Sequence, residues 1–156
     1  MKASAFDATS KEAFIQLQNA IVDPRYAQKD WRTTQNFVSQ TLPDYSEDVH
    51  FVCPKPGDVP DLMNSWMDMV GRLELPEGVD PVVAAAVAAF GFVFIHPFDD
   101  GNGRIHRFLV HHVLTKLAFT PQGILFPVSA AMLRDRLAYD CALRWSARRA
   151  LDREDS

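Results

Sequence analysis

Between His96 and Arg107 the chain reads His-Pro-Phe-Asp-Asp-Gly-Asn-Gly-Arg-Ile-His-Arg. A histidine with an ordinary pKa of about 6.5 can stay neutral at working pH and accept a proton. General-base catalysis of this kind supplies about 10²–10⁴ in rate. Gly101 and Gly103 flank Asn102, and glycine permits positive φ and close approach of backbone to a ligand. Successive N–H groups in such a turn form an anion nest, and the start of a following helix adds the positive end of its dipole. Arg104 and Arg107 are three apart and share a helix face, where guanidinium forks suit phosphate oxygens. Asp100, just before the nest, would repel a phosphate unless a cation lay between them. Mg²⁺ fits, since it is commonly held by one or two carboxylates plus substrate phosphates. The chemistry implied is proton abstraction beside a bound nucleotide polyphosphate. The seat differs from a P-loop, whose Gly-x-x-x-x-Gly-Lys-Ser/Thr is absent. Phe98 has no polar role and is expected to anchor the loop in the core.

The elements around this stretch must present His96 at one helix end and the glycines at the next helix start. Asp80-Pro81 opens an Ala-rich apolar helix running to Ile95, expected to be buried, and Pro97 ends it because the residue before proline disfavours helical geometry. A new helix is expected near Asn102 or Gly103, with Ile105, Phe108, Leu109, Val113 and Leu117 as its apolar face. Upstream, Thr9 with Glu12 reads as a capping box, followed by Ala13, Phe14, Leu17, Ala20 and Ile21 on one face, with Pro24 closing the helix. Residues 30–40 form a shorter helical candidate around Trp31, Phe37 and Val38. The stretch His50-Phe51-Val52-Cys53 reads as extended. Asp58 caps an amphipathic helix with Pro60 in its first turn and a stripe of Leu62, Met63, Trp66, Met69, Val70 and Leu73, which is read as core. Leu75 to Val79 and Pro121 to Pro127 are connections. Ser129 is the expected N-cap of a final long helix through Met132, Leu133, Leu137, Cys141 and Trp145. The fold class is therefore all-α with one short hairpin-like segment.

The length of 156 residues suits one domain with a real core, and 47% apolar with 23% charged residues is ordinary for a soluble globular protein. The formal net charge of −4 argues against a general nucleic-acid binder. Residues 1–100 carry 7 basic and 15 acidic side chains, whereas residues 101–156 carry 9 basic and 5 acidic. The basic excess begins where the motif begins, which suits an anionic ligand there. Arg134, Arg136, Arg148, Arg149 and Arg153 are read more simply as solvating helices. Cys53 and Cys141 form no C-x-x-C and no disulfide framework, which suits a reducing cytosol, and the expected location is cytoplasmic. No signal sequence opens the chain, and the run Val82 to Ile95 is too short to span a bilayer, so no membrane partner is expected.

The stretch His96 to Arg107 resembles the Fic-family motif His-Pro-Phe-x-Asp/Glu-Gly-Asn-Gly-Arg-x-x-Arg, with every fixed position present. Two further stretches are similar to the family. His50-Phe-Val-Cys-Pro-Lys-Pro-Gly-Asp-Val-Pro resembles the flap before the motif, and Ile124-Leu-Phe-Pro-Val-Ser the segment after it. The resemblance covers roughly residues 20–148 of a single Fic domain spanning 1–156. It implies the all-α Fido core with a short β-hairpin flap, and transfer of AMP from ATP to a Ser, Thr or Tyr hydroxyl of a target protein, which could include the chain itself. It further implies that His96 deprotonates the hydroxyl and Asp100 holds Mg²⁺ against the α- and β-phosphates. Gly101, Asn102 and Gly103 would form the anion hole, and Arg104 and Arg107 would bind the β- and γ-phosphates. Phe51, Val52 and Cys53 would belong to the flap that aligns the target peptide by strand addition.

Many members of that family carry an inhibitory Ser/Thr-x-x-x-Glu-Gly/Asn whose glutamate pairs with the second motif arginine. The sole Glu-Gly here is Glu77-Gly78, preceded four residues earlier by Leu73, so the motif is absent. The first helix also starts close to Met1, and the expectation is a piece of a longer protein lacking an upstream inhibitory helix, or inhibition by a partner. Competing readings are a Fic-type transferase of UMP, GMP or phosphocholine, an inactive nucleotide-binding interaction module, and a metal hydrolase using His106, His111 and His112. The last fits poorly, since His111 and His112 are adjacent and point apart on a helix.

Overall fold

The computed structural model describes residues 6–75, 79–121, 124, 126–135 and 141. Helix α1 spans Lys11–Ile21, followed by a 3₁₀ turn at Pro24–Tyr26. Strands β1 (Phe37–Thr41) and β2 (Glu47–Val52) make a two-stranded antiparallel hairpin. A second 3₁₀ turn at Pro56–Asp58 leads into α2 (Val59–Leu73), then come α3 (Pro81–Ile95), α4 (Asn102–Lys116) and α5 (Val128–Arg134). The architecture is the all-α core with a β-hairpin expected above.

Alanine at the buried positions 84, 85, 88 and 89 lets α3 pack closely between α2 and α4. An aromatic chain then ties the layers together: Phe14 stacks on Phe92 at 5.3 Å, Trp66 meets Phe92 edge-on at 5.5 Å, and Phe98 lies 6.5 Å from Phe92. The Trp66 indole N–H, buried with the ring, donates to the Ala88 carbonyl at 3.0 Å. A Cβ on Gly91 would sit 2.8 Å from Trp66 Cδ1. Alanine in a helix interior ordinarily gains about 1 kcal/mol over glycine, but overpacking of about 1–3 kcal/mol outweighs that gain here. Gly91→Ala should therefore lower the calorimetric melting temperature by a few degrees, and a rise would show that Trp66 yields freely.

Several local expectations are corrected. Ser10, not Thr9, caps α1, accepting from Ala13 N at 3.3 Å, because the Thr9 hydroxyl is bound to Asp7 Oδ1 at 2.6 Å. On the inner face of α1 the buried polar position is Gln18, whereas Ala20 is exposed. Residues 30–40 are not helical. Phe37 and Val38 pair with Val52 and Phe51, with a bulge between Val38 and Ser39. Asp58 stands at the start of α2 without a side-chain capping bond, since the preceding 3₁₀ turn already carries the chain into the helix. Asp80 does cap α3, accepting from Val82 N at 2.9 Å and Val83 N at 3.2 Å. Helix α3 is not buried all round, because Val82, Val83 and Val87 are about half exposed. Helix α4 buries His106 and His112 along its inner face beside Ile105, Leu109 and Val113. Helix α5 begins at Val128, so Ser129 lies inside it rather than at its cap. Leu137, Trp145, Arg136, Arg148, Arg149, Arg153 and the Glu77-Gly78 pair fall outside the described residues. No helix among the described residues is long and apolar enough to cross a membrane.

Between α2 and α4 lies a buried polar cluster. His112 Nε2 donates to Glu74 Oε1 at 2.9 Å, and Lys116 also reaches the Glu74 carboxylate. His112 further packs edge-on against Phe6 at 5.4 Å and parallel to Phe108 at 5.9 Å. That histidine is thereby committed to the core. Among the described residues no three histidine, cysteine, aspartate or glutamate side chains gather as a metal set, so the proposed trio of His106, His111 and His112 does not converge.

Candidate active site at the junction of α3 and α4

Helix α3 ends at His96, which adopts the left-handed conformation with φ 53° and ψ 59°. Its N–H still bonds the Phe92 carbonyl at 3.0 Å, so the residue belongs to the last turn while its side chain leaves the helix track. The ring is oriented by a 3.1 Å bond between Nδ1 and the Val93 carbonyl. A carbonyl can only accept, so Nδ1 carries the proton and Nε2 presents a lone pair. Burial is the main reason that the imidazole's proton affinity is lowered; the Arg32 charge adds to it and the Val93 bond opposes it. A neutral ring with Nε2 as acceptor is the form a general base needs.

The loop to α4 is held from inside. Phe98 is fully buried, with its ring 5.2 Å from that of Trp31. Asn102 closes the loop with a two-way clamp: its Oδ1 accepts from Phe98 N at 3.1 Å and its Nδ2 donates to Phe98 O at 2.7 Å. Gln18 of α1 adds a third tie, donating to Asp100 O at 3.3 Å and to Tyr26 O at 3.0 Å. Gln28 accepts from Asp99 N at 2.9 Å, and Thr34 donates to the Asp99 carboxylate at 2.9 Å. Gly101 is required where it stands. Its φ is +95°, and a Cβ there would lie 3.0 Å from Val22 Cγ1.

Helix α4 starts without a side-chain cap, and its first bonded amides are Arg104 and Ile105, which share the Gly101 carbonyl at 3.0 Å. The N–H groups of Asn102 and Gly103 take no partner among the described residues. They are open donors at the positive end of the helix. Arg104 donates to both carboxylate oxygens of Asp100, at 3.1 and 2.9 Å, and to the Ile21 carbonyl at the end of α1. Asp100 also accepts from Gly101 N at 2.6 Å. Arg107, one turn on, makes no hydrogen bond or ion pair among the described residues. The junction therefore brings together His96, Asp100, Gly101, Asn102, Gly103, Arg104 and Arg107 on one loop and the helix start after it.

The hairpin lies beside this junction through Phe51, which is buried with its ring 4.6 Å from that of Phe94 on α3. Cys53 is buried too, and burial pushes its thiol up to about 11. Of the three flap residues only Val52 faces solvent, 63% exposed. Phe51 and Cys53 therefore offer no side chain to an outside partner, against the expectation for all three. Sequence reasoning missed Gln18 and Arg32. The first shares a helix face with Phe14 and Ile21, a spacing that could have placed it inside; for Arg32 the sequence carries no such sign.

A helical core in which a histidine-bearing helix end meets the uncapped start of the next helix frames this site. The sequence matches the Fic/DOC family over residues 8–114, and the chain belongs to that family. The protein adenylyltransferase Fic of Nematostella vectensis is 36% identical over 96 residues, covering 62% of this chain and 20% of that protein. The protein adenylyltransferase fic-1 of Caenorhabditis elegans is 32% identical over 97 residues, covering 62% and 16%. The chain thus spans a fifth or less of the length of these curated relatives. A Fic domain containing signaling protein from Bacteroides thetaiotaomicron superposes with TM-score 0.60 at 26% identity, over 77% of this chain and 45% of that one. A Fic family protein from Desulfovibrio desulfuricans reaches TM-score 0.63 over 99% of this chain and 50% of that one; at 22% identity it speaks to the fold alone.

Proposed function

We propose that this domain transfers AMP from ATP to a Ser, Thr or Tyr hydroxyl of a target protein, releasing pyrophosphate. The observation that carries the proposal is the pairing, across one six-residue junction, of a neutral His96 with its Nε2 lone pair and the uncapped, arginine-bearing start of α4. Nε2 of His96 takes the hydroxyl proton as the oxygen attacks the α-phosphorus, and the bond to the bridging oxygen breaks. The N–H groups of Asn102 and Gly103 receive the α-phosphate oxygens, a preorganised donor set aimed at developing charge. The Asn102 side chain has a different task, holding the loop. Arg107, with no competing partner, meets the terminal phosphates and stabilises the leaving pyrophosphate.

Asp100 suits a Mg²⁺ carboxylate ligand. It is half exposed beside the open amides, and the absence of a three-ligand protein set among the described residues fits an ion held mostly by phosphate oxygens. When bound, that ion supplies charge neutralisation on the phosphates. Arg104 and Asp100 would exchange partners as Mg²⁺ and ATP enter. The exchange is cheap, because a half-exposed ion pair contributes about 1 kcal/mol or less.

Strand addition to the flap, with Val52 against the incoming peptide, supplies the target frame. Incubation with ATP, GTP, UTP, CTP and CDP-choline in separate reactions, read by intact mass of the protein and of lysate proteins, tests the reading. An AMP adduct is expected; an adduct of another group would move the assignment within the family, and adducts with none would leave a binding module. Arg107→Ala should weaken ATP binding about tenfold or more, as loss of a charge-assisted phosphate contact does, and leave AMP binding nearly unchanged. Calorimetry with both nucleotides checks it, and an equal loss for AMP would place Arg107 away from the terminal phosphates.

A further inference from the structure

Arg32 is almost completely buried, at 2% exposure, yet forms no ion pair among the described residues. Its guanidinium is spent on main-chain carbonyls instead. Nε donates to His96 O at 2.7 Å, Nη1 to Thr34 O at 2.8 Å, and Nη2 to Pro54 O at 2.7 Å and Ile95 O at 3.4 Å. Its own N–H donates to Pro97 O at 2.8 Å. Ile95 and His96 carry orphan carbonyls at the negative end of α3, where a cation is favoured. Pro54 lies two residues beyond the end of β2, in the outgoing arm of the flap. A buried guanidinium with no direct ion pair, favoured only from a distance by the Asp99 carboxylate, is a costly way to fill space. What it provides here is geometry: a rigid planar fork that gathers carbonyls from three separate segments.

We infer that Arg32 is a positioning residue that fixes the His96 main chain and the outgoing arm of the flap to one another, so that target docking and proton abstraction share one frame. His96 needs such a hold, since its left-handed backbone is a conformation that residues other than glycine rarely keep. The Val93 carbonyl steers the ring, while Arg32 steers the residue that carries it. Neighbouring bonds brace the same bridge. Gln35 donates to Cys53 O at 2.7 Å, and Cys53 N donates to Asn36 O at 3.1 Å. The segment from Trp31 to Asn36 is thus a buckle between flap and base. Arg32 touches no reacting atom in this scheme, and its importance to transfer rests on the reading of His96 as the base.

The test uses the full chain without nucleotide first. In the wild-type protein, ¹⁵N NMR should show a slowly exchanging Arg32 Nε–H and a His96 ring protonated at Nδ1. Arg32→Lys keeps the charge but cannot span the same carbonyls. Folded by circular dichroism, it should show a His96 tautomer mixture, ATP binding within about twofold of wild type, and kcat/KM for a target reduced about 10²-fold, as an ångström-scale misplacement does. A folded Arg32→Lys with wild-type His96 signals and wild-type kcat/KM would overturn the inference. So would a rapidly exchanging Arg32 Nε–H in the wild-type chain, a result that does not depend on the variant folding. If the NMR results hold but no nucleotide is transferred, the proposed reaction fails and the structural bridge stands.

Discussion

Replacing His96 with alanine should cut AMP transfer by about 10²–10⁴-fold, the range general-base catalysis supplies, while leaving ATP affinity close to wild type. The two effects separate because the proposed base stands at the end of α3, whereas the open amides and both arginines belong to the loop end and α4. Labelled-ATP incorporation in a cell lysate, with wild type and variant side by side, reads the first; calorimetry reads the second. Transfer at the wild-type rate would remove His96 from the role of base. The same residue sets a pH dependence. Burial, reinforced by the Arg32 charge, lowers its proton affinity despite the Val93 bond. In the proposed scheme kcat/KM should therefore fall as acid protonates Nε2, with its midpoint below the ordinary histidine value of about 6.5. A midpoint above that value would mean that a different group limits the reaction.

Asn102→Asp should be nearly as damaging, through stability rather than chemistry. The substitution preserves shape and keeps an oxygen to accept from Phe98 N. It replaces the amide that donates to Phe98 O at 2.7 Å by a second carboxylate oxygen facing a carbonyl. The site is buried, so both desolvation and an unmade hydrogen bond count, together about 3 kcal/mol or more. For a chain of this size that is a fall in melting temperature of about 6–12 °C. The sign of the pH dependence follows from the same contact. The folded state favours the protonated acid, which can donate to Phe98 O, so the introduced group has a folded pKa raised above its unfolded value of about 3.9. Stability matches the neutral form below that unfolded value and is lost as pH rises through the raised folded one. Thermal melts from pH 4 to pH 8 should therefore diverge from wild type with increasing pH. A constant difference, or none at pH 7, would show that the Asn102 clamp does not carry the loop.

The elements that flank the junction were legible because their signals are local. Asp80-Pro81 and Pro97 act through their own backbone and caps, and α3 begins and ends where they put it. The start of α4 followed from the Gly-Asn-Gly turn for the same reason. The cap of α1 slipped by one residue because Thr9 and Ser10 both offer a hydroxyl and only Asp7, already holding Thr9, decides between them. Against the helical expectation for residues 30–40, Phe37–Thr41 is the hairpin's first strand. Strand pairing is a contact between segments, and Phe37 and Val38 acquire their extended form from Val52 and Phe51 across the turn. Four polar side chains, Gln18, Arg32, His106 and His112, are internal. For Gln18, Arg32 and His112, partners on other elements make that burial tolerable.

The twelve residues from His96 to Arg107 determined by themselves which groups the proposed chemistry could use, since the histidine, the carboxylate, the glycines and the arginines lie close along the chain and need only one helix end and one helix start to present them. What tertiary structure alone decided is how those groups are held and which stay free. Asn102 turned its amide inward to clamp Phe98. Arg104 took Asp100 and the end of α1, while Arg107 remained unengaged among the described residues. Arg32, more than sixty residues from His96 in the chain, came to hold its backbone. Each of these is a hydrogen bond between segments distant in sequence, or a choice among several possible partners. Such choices are made by burial and distance in the folded chain, which no spacing in the sequence encodes.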